Sequence, residues 1–199
     1  MNLSAEERLW FAAGQNRFDE LREIFLTCPK VNVNWKGESG NTALHKASEL
    51  GNVAVVELLL LHPLINPNET NDVFHRTAFM LACALQQFEV IQVLLRDARV
   101  KVDAVDSHGC TALWMCAHDG HNQVVKWMMA SGRNFGLDKK GLELQSEVKH
   151  PALYMAKQAV FLTARTEKEK EARFKEIVAM LEEKSREQAM VTAQRELAK

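Results

Sequence analysis

Asn41-Thr42-Ala43-Leu44-His45-Lys46-Ala47 is the stretch that decides how this chain folds, because it returns twice further along. The first copy is Arg76-Thr77-Ala78-Phe79-Met80-Leu81-Ala82, and the second is Cys110-Thr111-Ala112-Leu113-Trp114-Met115-Cys116-Ala117. The threonines at 42, 77 and 111 lie 35 and then 34 residues apart, a period that belongs to solenoids built from stacked supersecondary units. Each copy is followed by a second apolar pattern. Val55, Val56, Leu59 and Leu60 recur as Val90, Ile91, Leu94 and Leu95, and again as Val124, Val125, Met128 and Met129. That i, i+1, i+4, i+5 stripe is the buried side of a helix.

Local chemistry gives each unit two helices. A threonine hydroxyl accepts from the free amides of a first helical turn, so Thr42, Thr77 and Thr111 are expected N-caps. Leu44 and Ala47, Phe79 and Ala82, and Leu113 and Cys116 sit three apart and share a helix face. Gly51 and Gly120 fall where the first helix must stop, a position that takes a positive φ. Gln86 holds that place in the middle unit, where a looser turn is expected. Val31-Asn-Val-Asn, Leu64-Ile-Asn-Pro-Asn and Val100-Lys-Val-Asp-Ala, rich in turn-forming side chains, read as links to the next unit.

The ends of the chain are less regular, as terminal repeats are when one face meets solvent. Leu9-Trp-Phe-Ala-Ala13 with Phe18, Leu21, Ile24 and Phe25 reads as an N-terminal cap pair lacking the Thr-Ala-Leu opening. Pro151-Ala-Leu-Tyr-Met-Ala156 opens a fifth unit 40 residues after Thr111, with the excess assigned to Gly141–His150. Phe174, Ile177, Val178 and Leu181 trace the second helix of that unit, and a weak stripe through Ala189, Ala193 and Leu197 continues beyond it. The expected boundaries are 5–34, 35–69, 70–104, 105–138 and 139–184, with a helical tail at 185–199.

The bulk composition fits such an array. The 199 residues are 47% hydrophobic, enough for a continuous core, and the formal net charge of -1 provides no global field toward nucleic acid or anionic membrane. Val53–Leu61, the densest apolar run, is broken by Glu57 and ends at His62-Pro63, far short of the roughly 20 residues that cross a bilayer. Met1–Glu7 lacks the basic start and apolar run of a signal peptide, and the four cysteines show no CxxC pairing. A cytoplasmic or nuclear chain is expected.

The three central copies resemble the ankyrin repeat family, whose motif runs D-x-x-G-x-T-P-L-H-x-A-A-x-x-G before an apolar helix. Gly40–Gly51 and Asp106–Gly120 follow it closely, and Asp72–Gln86 is a weaker copy with His75 in place of glycine. The resemblance spans about residues 5–182. It implies an all-α repeat solenoid, an ankyrin-type stack of helix pairs joined by short β-hairpin-like loops, with a concave protein-binding side. Family contacts cluster between the Asp and Thr of the motif and at the end of the first helix. Carried over, these positions are Glu38, Ser39, Asn41, Glu49 and Leu50; Val73, Phe74, Arg76, Ala84 and Leu85; and Ser107, His108, Cys110, His118 and Asp119. The resemblance also gives His45 a role in tying neighbouring hairpins, a role that Met80 and Trp114 cannot copy.

Val73, Phe74 and Leu85 place apolar side chains where solvent alone would favour polar ones, and an aromatic beside Arg76 has the composition of an interface anchor. Two readings stay open: a binding patch, or a Phe74 ring folded back to compensate for His75.

The rival chemistries lack their residues. Cys110, Cys116, His118 and His121 are spaced C-x5-C-x-H-x2-H, which is no established zinc pattern, so no metal or cofactor is expected. No GxSxG, HExxH or P-loop motif is present, and no enzyme is expected. Between Arg165 and Lys199 nine Lys/Arg face eight Glu, a solvated helix face rather than a nucleic-acid arm. The expected function is that of a monomeric adaptor or scaffold with a protein partner, with no role at nucleic acid or membrane. The alternative is a stoichiometric inhibitor of an enzyme or transcription factor.

Overall fold

The computed structural model describes residues 3–137, 140–142, 149–154, 156–157 and 168–197. The chain divides into two compact units, Met1–Ser107 and His108–Lys199.

The first unit holds three helix pairs: α1 (Ala5–Gly14) with α2 (Phe18–Thr27), α3 (Ala43–Glu49) with α4 (Val53–Leu61), and α5 (Ala78–Ala84) with α6 (Phe88–Arg96). First helices pack on first helices, α1 on α3 and α3 on α5. Second helices do the same, α2 on α4 and α4 on α6. The core lies between these layers, where Leu9, Leu44 and Phe79 meet Leu21, Ile24, Val55, Val56, Leu59, Val90, Ile91 and Leu94, all buried. Each large aliphatic or aromatic side chain so placed contributes about 1.5–3 kcal/mol. A lone pair would leave its stripe in water, so the pairs stack.

The caps are where the repeat predicts them. Thr42 and Thr77 Oγ1 accept from the backbone N–H of His45 and Met80, each at 3.3 Å. In the first pair Ser4 does this work through a capping box, accepting from Glu7 N–H at 3.1 Å while Glu7 Oε2 accepts from Ser4 N–H at 2.8 Å.

The turn after each first helix corrects the expectation at Gln86. Asn16 and Gln86 adopt φ 55°, close to the 75° of Gly51. The hydrogen bonds that close the three turns are alike: Arg17, Asn52 and Gln87 N–H donate to the carbonyls of Ala12, Ala47 and Ala82, each at 2.9 Å. The turn with Gln86 is therefore no looser. Its residue sits in a left-handed conformation at a local steric cost of roughly 1–2 kcal/mol.

Side-chain amides join the pairs at fixed intervals. Asn52 Nδ2 donates to the Ala13 and Gly14 carbonyls at 2.8 and 3.2 Å, and Gln87 Nε2 to the Glu49 carbonyl at 2.8 Å, so each second helix satisfies orphan carbonyls of the preceding first helix. At the opposite turns, Asn34 Oδ1 accepts from Asn66 N–H at 2.8 Å and its Nδ2 donates to the Leu64 carbonyl at 2.8 Å. Asn68 repeats the arrangement with Lys101 N–H at 2.6 Å and the Arg99 carbonyl at 2.8 Å.

The second unit contains α7 (Ala112–Asp119), α8 (Asn122–Ala130), strands β1 (Lys140–Leu142) and β2 (Lys149–Pro151), and a long α9 (Lys168–Leu197). Thr111 caps α7, accepting from Trp114 N–H at 3.1 Å, and Gly120 ends it at φ 75°. Leu113, Val124, Val125, Met128, Phe135, Ala152, Ala156, Phe174, Ile177 and Leu181 are buried, and Val178 is half-buried. β1 and β2 pair antiparallel with Gly141 opposite His150, within the stretch assigned to the excess length; residues 143–148 lie outside the described residues, as does Met155. α9 passes position 184 without a break, so the expected tail continues this helix as far as Leu197. Ala189 is exposed, and the side chains of Ala193 and Leu197 lie outside the described residues. No described helix is long and apolar enough to cross a membrane.

Candidate functional site

Between its pairs the first unit projects hairpin tips, and the one before α5 differs from the one before α3. In the earlier tip Gly37 N–H donates to the Asn41 carbonyl at 3.0 Å and three residues lie between them. In the later tip Asn71 N–H donates to the Arg76 carbonyl at 2.9 Å, enclosing four. The extra residue of the 35-residue spacing is therefore in the tip, and the helices keep their register. Counting back from Thr77 makes Asp72 the opening residue, but the structure gives that place to Asn71. Its Oδ1 accepts from the N–H of Phe74 at 3.3 Å and of Arg76 at 3.0 Å, two bonds across the tip that shape the loop. Asp72 instead reaches outward to Lys36 Nζ at 3.3 Å.

The tips are also sewn to one another through the backbone. Asp72 N–H donates to the Ser39 carbonyl at 3.0 Å, and Ser107 N–H to the Phe74 carbonyl at 2.8 Å. His75 stands at φ 54°, where Gly40 has 70°, so the left-handed residue of the tip is retained without glycine. The Phe74 ring does not fold back under the tip: it stays at the surface, 42% exposed, beside Val73 at 53%. The Arg76 guanidinium lies 4.9 Å from the centre of the Phe74 ring, and its Nε donates to Asp106 Oδ2 at 3.3 Å. Asp106 is only 1% exposed at its side chain, so a buried carboxylate positions the cation over the aromatic face.

Among the other expected positions of this unit, Glu38, Ser39 and Ser107 are exposed, Asn41, Glu49 and Ala84 are half-buried, and Leu50 and Leu85 expose 52% and 51%. Glu49 pairs with Lys46 at 3.5 Å. The Asn41 carbonyl accepts from Trp10 Nε1 at 2.7 Å, and Lys46 Nζ lies 5.4 Å from the Trp10 ring centre. Phe11, edge-on to Trp10 at 5.1 Å, adds an exposed aromatic that the carried-over positions omit, since they begin one repeat later.

His45 joins two repeats. Its ring is 1% exposed, with Nδ1 3.1 Å from Thr42 N and 2.8 Å from Thr42 Oγ1, and Nε2 3.0 Å from the Arg76 carbonyl. An Nδ1 that accepts from a backbone N–H is unprotonated, so Nε2 carries the hydrogen and donates it to Arg76. Burial holds the ring's pKa below the usual 6.5, outweighing the carbonyl bond that favours the cation. At the corresponding positions Met80 and Trp114 are buried and apolar.

In the second unit, His108 is half-buried, and His118 and Asp119 are exposed and joined at 2.6 Å. The His118 ring stacks on Trp114 at 5.2 Å. Cys110, expected among the partner-contacting positions, is a correction: it is buried, 4% exposed, and so presents little surface to a partner. Among the described residues, no group of three or more His, Cys, Asp or Glu side chains converges where it could hold a metal ion.

Paired helices stacked at a 34- to 35-residue interval, with tips tied to their neighbours, define a helical repeat solenoid. The sequence matches the family described as ankyrin repeats (3 copies) over residues 61–140 and the family described as ankyrin repeat over residues 39–72. It is 32% identical over 128 residues to an ankyrin repeat and KH domain-containing protein of Caenorhabditis briggsae, a match covering 62% of this chain and 5% of that protein. The chain belongs to the ankyrin repeat family. Ankyrin repeats are generally protein–protein interaction modules, typically without enzymatic activity.

Proposed function

We propose that this chain binds a protein partner on the side of the first unit formed by the tips and first helices, and serves as an adaptor or scaffold. The observation that carries this reading is the tip before α5. Val73 and Phe74 are exposed there although backbone hydrogen bonds and the Asn71 side chain fix the loop beneath them. A preorganised aromatic loses little conformational freedom on docking, and the guanidinium held over it by Asp106 adds a polar handle. Leu50 and Leu85 extend the apolar surface along the ends of the first helices. Inhibition of an enzyme or transcription factor is the alternative, since a docked stack can also occlude its partner.

The test is affinity capture from the native cell with wild type and with Phe74→Ala combined with Leu85→Ala. Both side chains are exposed, so the variant should remain folded. A partner lost by the variant supports the site, and one retained in equal amount refutes it. Assaying the captured partner for activity in the presence and absence of the chain then separates adaptor from inhibitor.

A further inference from the structure

The backbone of the tip that carries Phe74 and Arg76 is held by a titratable ring, His45, while Asp106 holds the Arg76 guanidinium. Arg76 contributes its guanidinium to the exposed patch, and its carbonyl is bonded to His45 Nε2 at 3.0 Å and to Asn71 N–H at 2.9 Å. The His45 ring has almost no access to water and both of its nitrogens are engaged. We propose that His45 is a pH-sensitive latch for this tip: the neutral ring locks Arg76 and Phe74 in their docking geometry, and protonation releases them. The proposal rests on the reading that this tip is the docking surface and adds its regulation.

The neutral ring makes a consistent set of bonds, with Nδ1 accepting from Thr42 N–H and Nε2–H donating to the Arg76 carbonyl. A proton added at Nδ1 removes that acceptor. Thr42 Oγ1, 2.8 Å away, can take the new N–H, but Thr42 N–H is left buried without its partner and the ring becomes a buried cation.

The surroundings offer little to neutralise that cation. α5, Ala78–Ala84, brings no charged residue to the ring. On α1, Glu6 accepts from Asn32 N–H, Glu7 from Ser4 N–H, and Arg8 pairs with Glu20; on α4, Glu57 is exposed. On α3 itself Lys46 pairs with Glu49. Lys36 opposes a charged ring and Glu69 favours it, and these two lie 3.9 Å apart as an ion pair. The readiest relief is for the ring to swing toward water, which breaks the bond to Arg76.

The sign follows from the depressed pKa: the latch is fully closed above about 6.5 and opens as pH falls through the lower folded-state value. The experiment is a pH titration from 8 to 5 of the full chain, labelled with 15N and 13C, following the His45 ring and the backbone amides of Phe74, Arg76 and Thr77. His75 is a second imidazole within the tip, so the experiment is done in His75→Asn and repeated with His45→Gln added.

The expected result is that the three amides move with the midpoint of the His45 ring, below 6.5, and that their heteronuclear NOE falls on the acid side. Both effects should vanish when His45→Gln is present. Amides that stay still while His45 titrates overturn the proposal, as does a response that persists in the His45→Gln protein. Neither outcome bears on whether Phe74 and Leu85 bind a partner, which the capture experiment decides separately.

Discussion

The same turn is built with glycine in one repeat and glutamine in the next, which makes a pair of substitutions with opposite predicted effects. Gln86→Gly removes a left-handed strain of roughly 1–2 kcal/mol, and the added freedom of the unfolded chain takes back about 0.4–1 kcal/mol, leaving a net gain of about 0.5–1 kcal/mol. Gly51→Ala reverses both terms and adds a collision. A Cβ there would sit 2.4 Å from Gln87 Oε1, and displacing that amide breaks its bond to the Glu49 carbonyl, at 2.8 Å, for a further loss of about 1 kcal/mol. Gly51→Ala should therefore destabilise the protein by about 1.5–2 kcal/mol. Urea unfolding followed by far-UV circular dichroism reads both changes. With a slope of about 2 kcal/mol per molar, the midpoint should rise by roughly 0.3–0.5 M in Gln86→Gly and fall by roughly 0.8–1 M in Gly51→Ala. Shifts of the same sign, or a Gln86→Gly midpoint below wild type at unchanged slope, would refute the assignment of strain to residue 86.

Asn71→Ala removes the acceptor of two tip amides and should destabilise the protein by about 1–3 kcal/mol, with faster amide exchange at Phe74 and Arg76 measured by NMR. Asp72→Ala, which removes only the exposed pair with Lys36, should change the urea midpoint by less than about 0.5 kcal/mol equivalent. Asn68→Ala breaks two bonds to the following turn and should cost about 1–3 kcal/mol, with the loss concentrated in exchange protection of residues 99–101. Because the His45 pKa is lowered in the folded state, the unfolded chain takes up that proton first. Its contribution to stability is complete above about 6.5 and declines as pH falls through the folded value, so urea midpoints measured from pH 7.5 to 5 should fall more steeply in wild type than in His45→Gln.

The elements that follow from local rules were legible in the sequence. Thr42, Thr77 and Thr111 announce their helices because a hydroxyl at the cap acts on amides only three residues away, and the paired stripes of α4, α6 and α8 follow from helical geometry alone. His45 was legible through the motif it shares with its family, and Phe74 through an apolar residue at a position that usually faces water. The misread features depend on partners distant in the chain. Asn34 and Asn68 look like ordinary turn residues until their amides meet backbone in the next repeat, although their 34-residue separation was a visible clue. Asn71 was hidden because counting back from Thr77 assumes a tip of constant length. Gln86 was misjudged because composition reports which residue is comfortable in a left-handed turn, whereas the stack dictates the turn whichever residue is present. Cys110 looked external at the head of its helix, but burial depends on tertiary neighbours that position in the motif does not report.

The inserted residue between Asn71 and Arg76 bears on engineering as well as recognition. The loop grew by one residue while Thr77 still caps its helix and α5 still packs on α3, so length at this point is decoupled from the lattice of the array. Loop closure entropy rises slowly, by about 0.6 kcal/mol for each doubling of loop length. The segment from Asp72 to His75 is therefore a natural port for grafting, where a longer peptide can be installed while its flanks remain clamped by the backbone and side-chain bonds between Asn71 and Arg76.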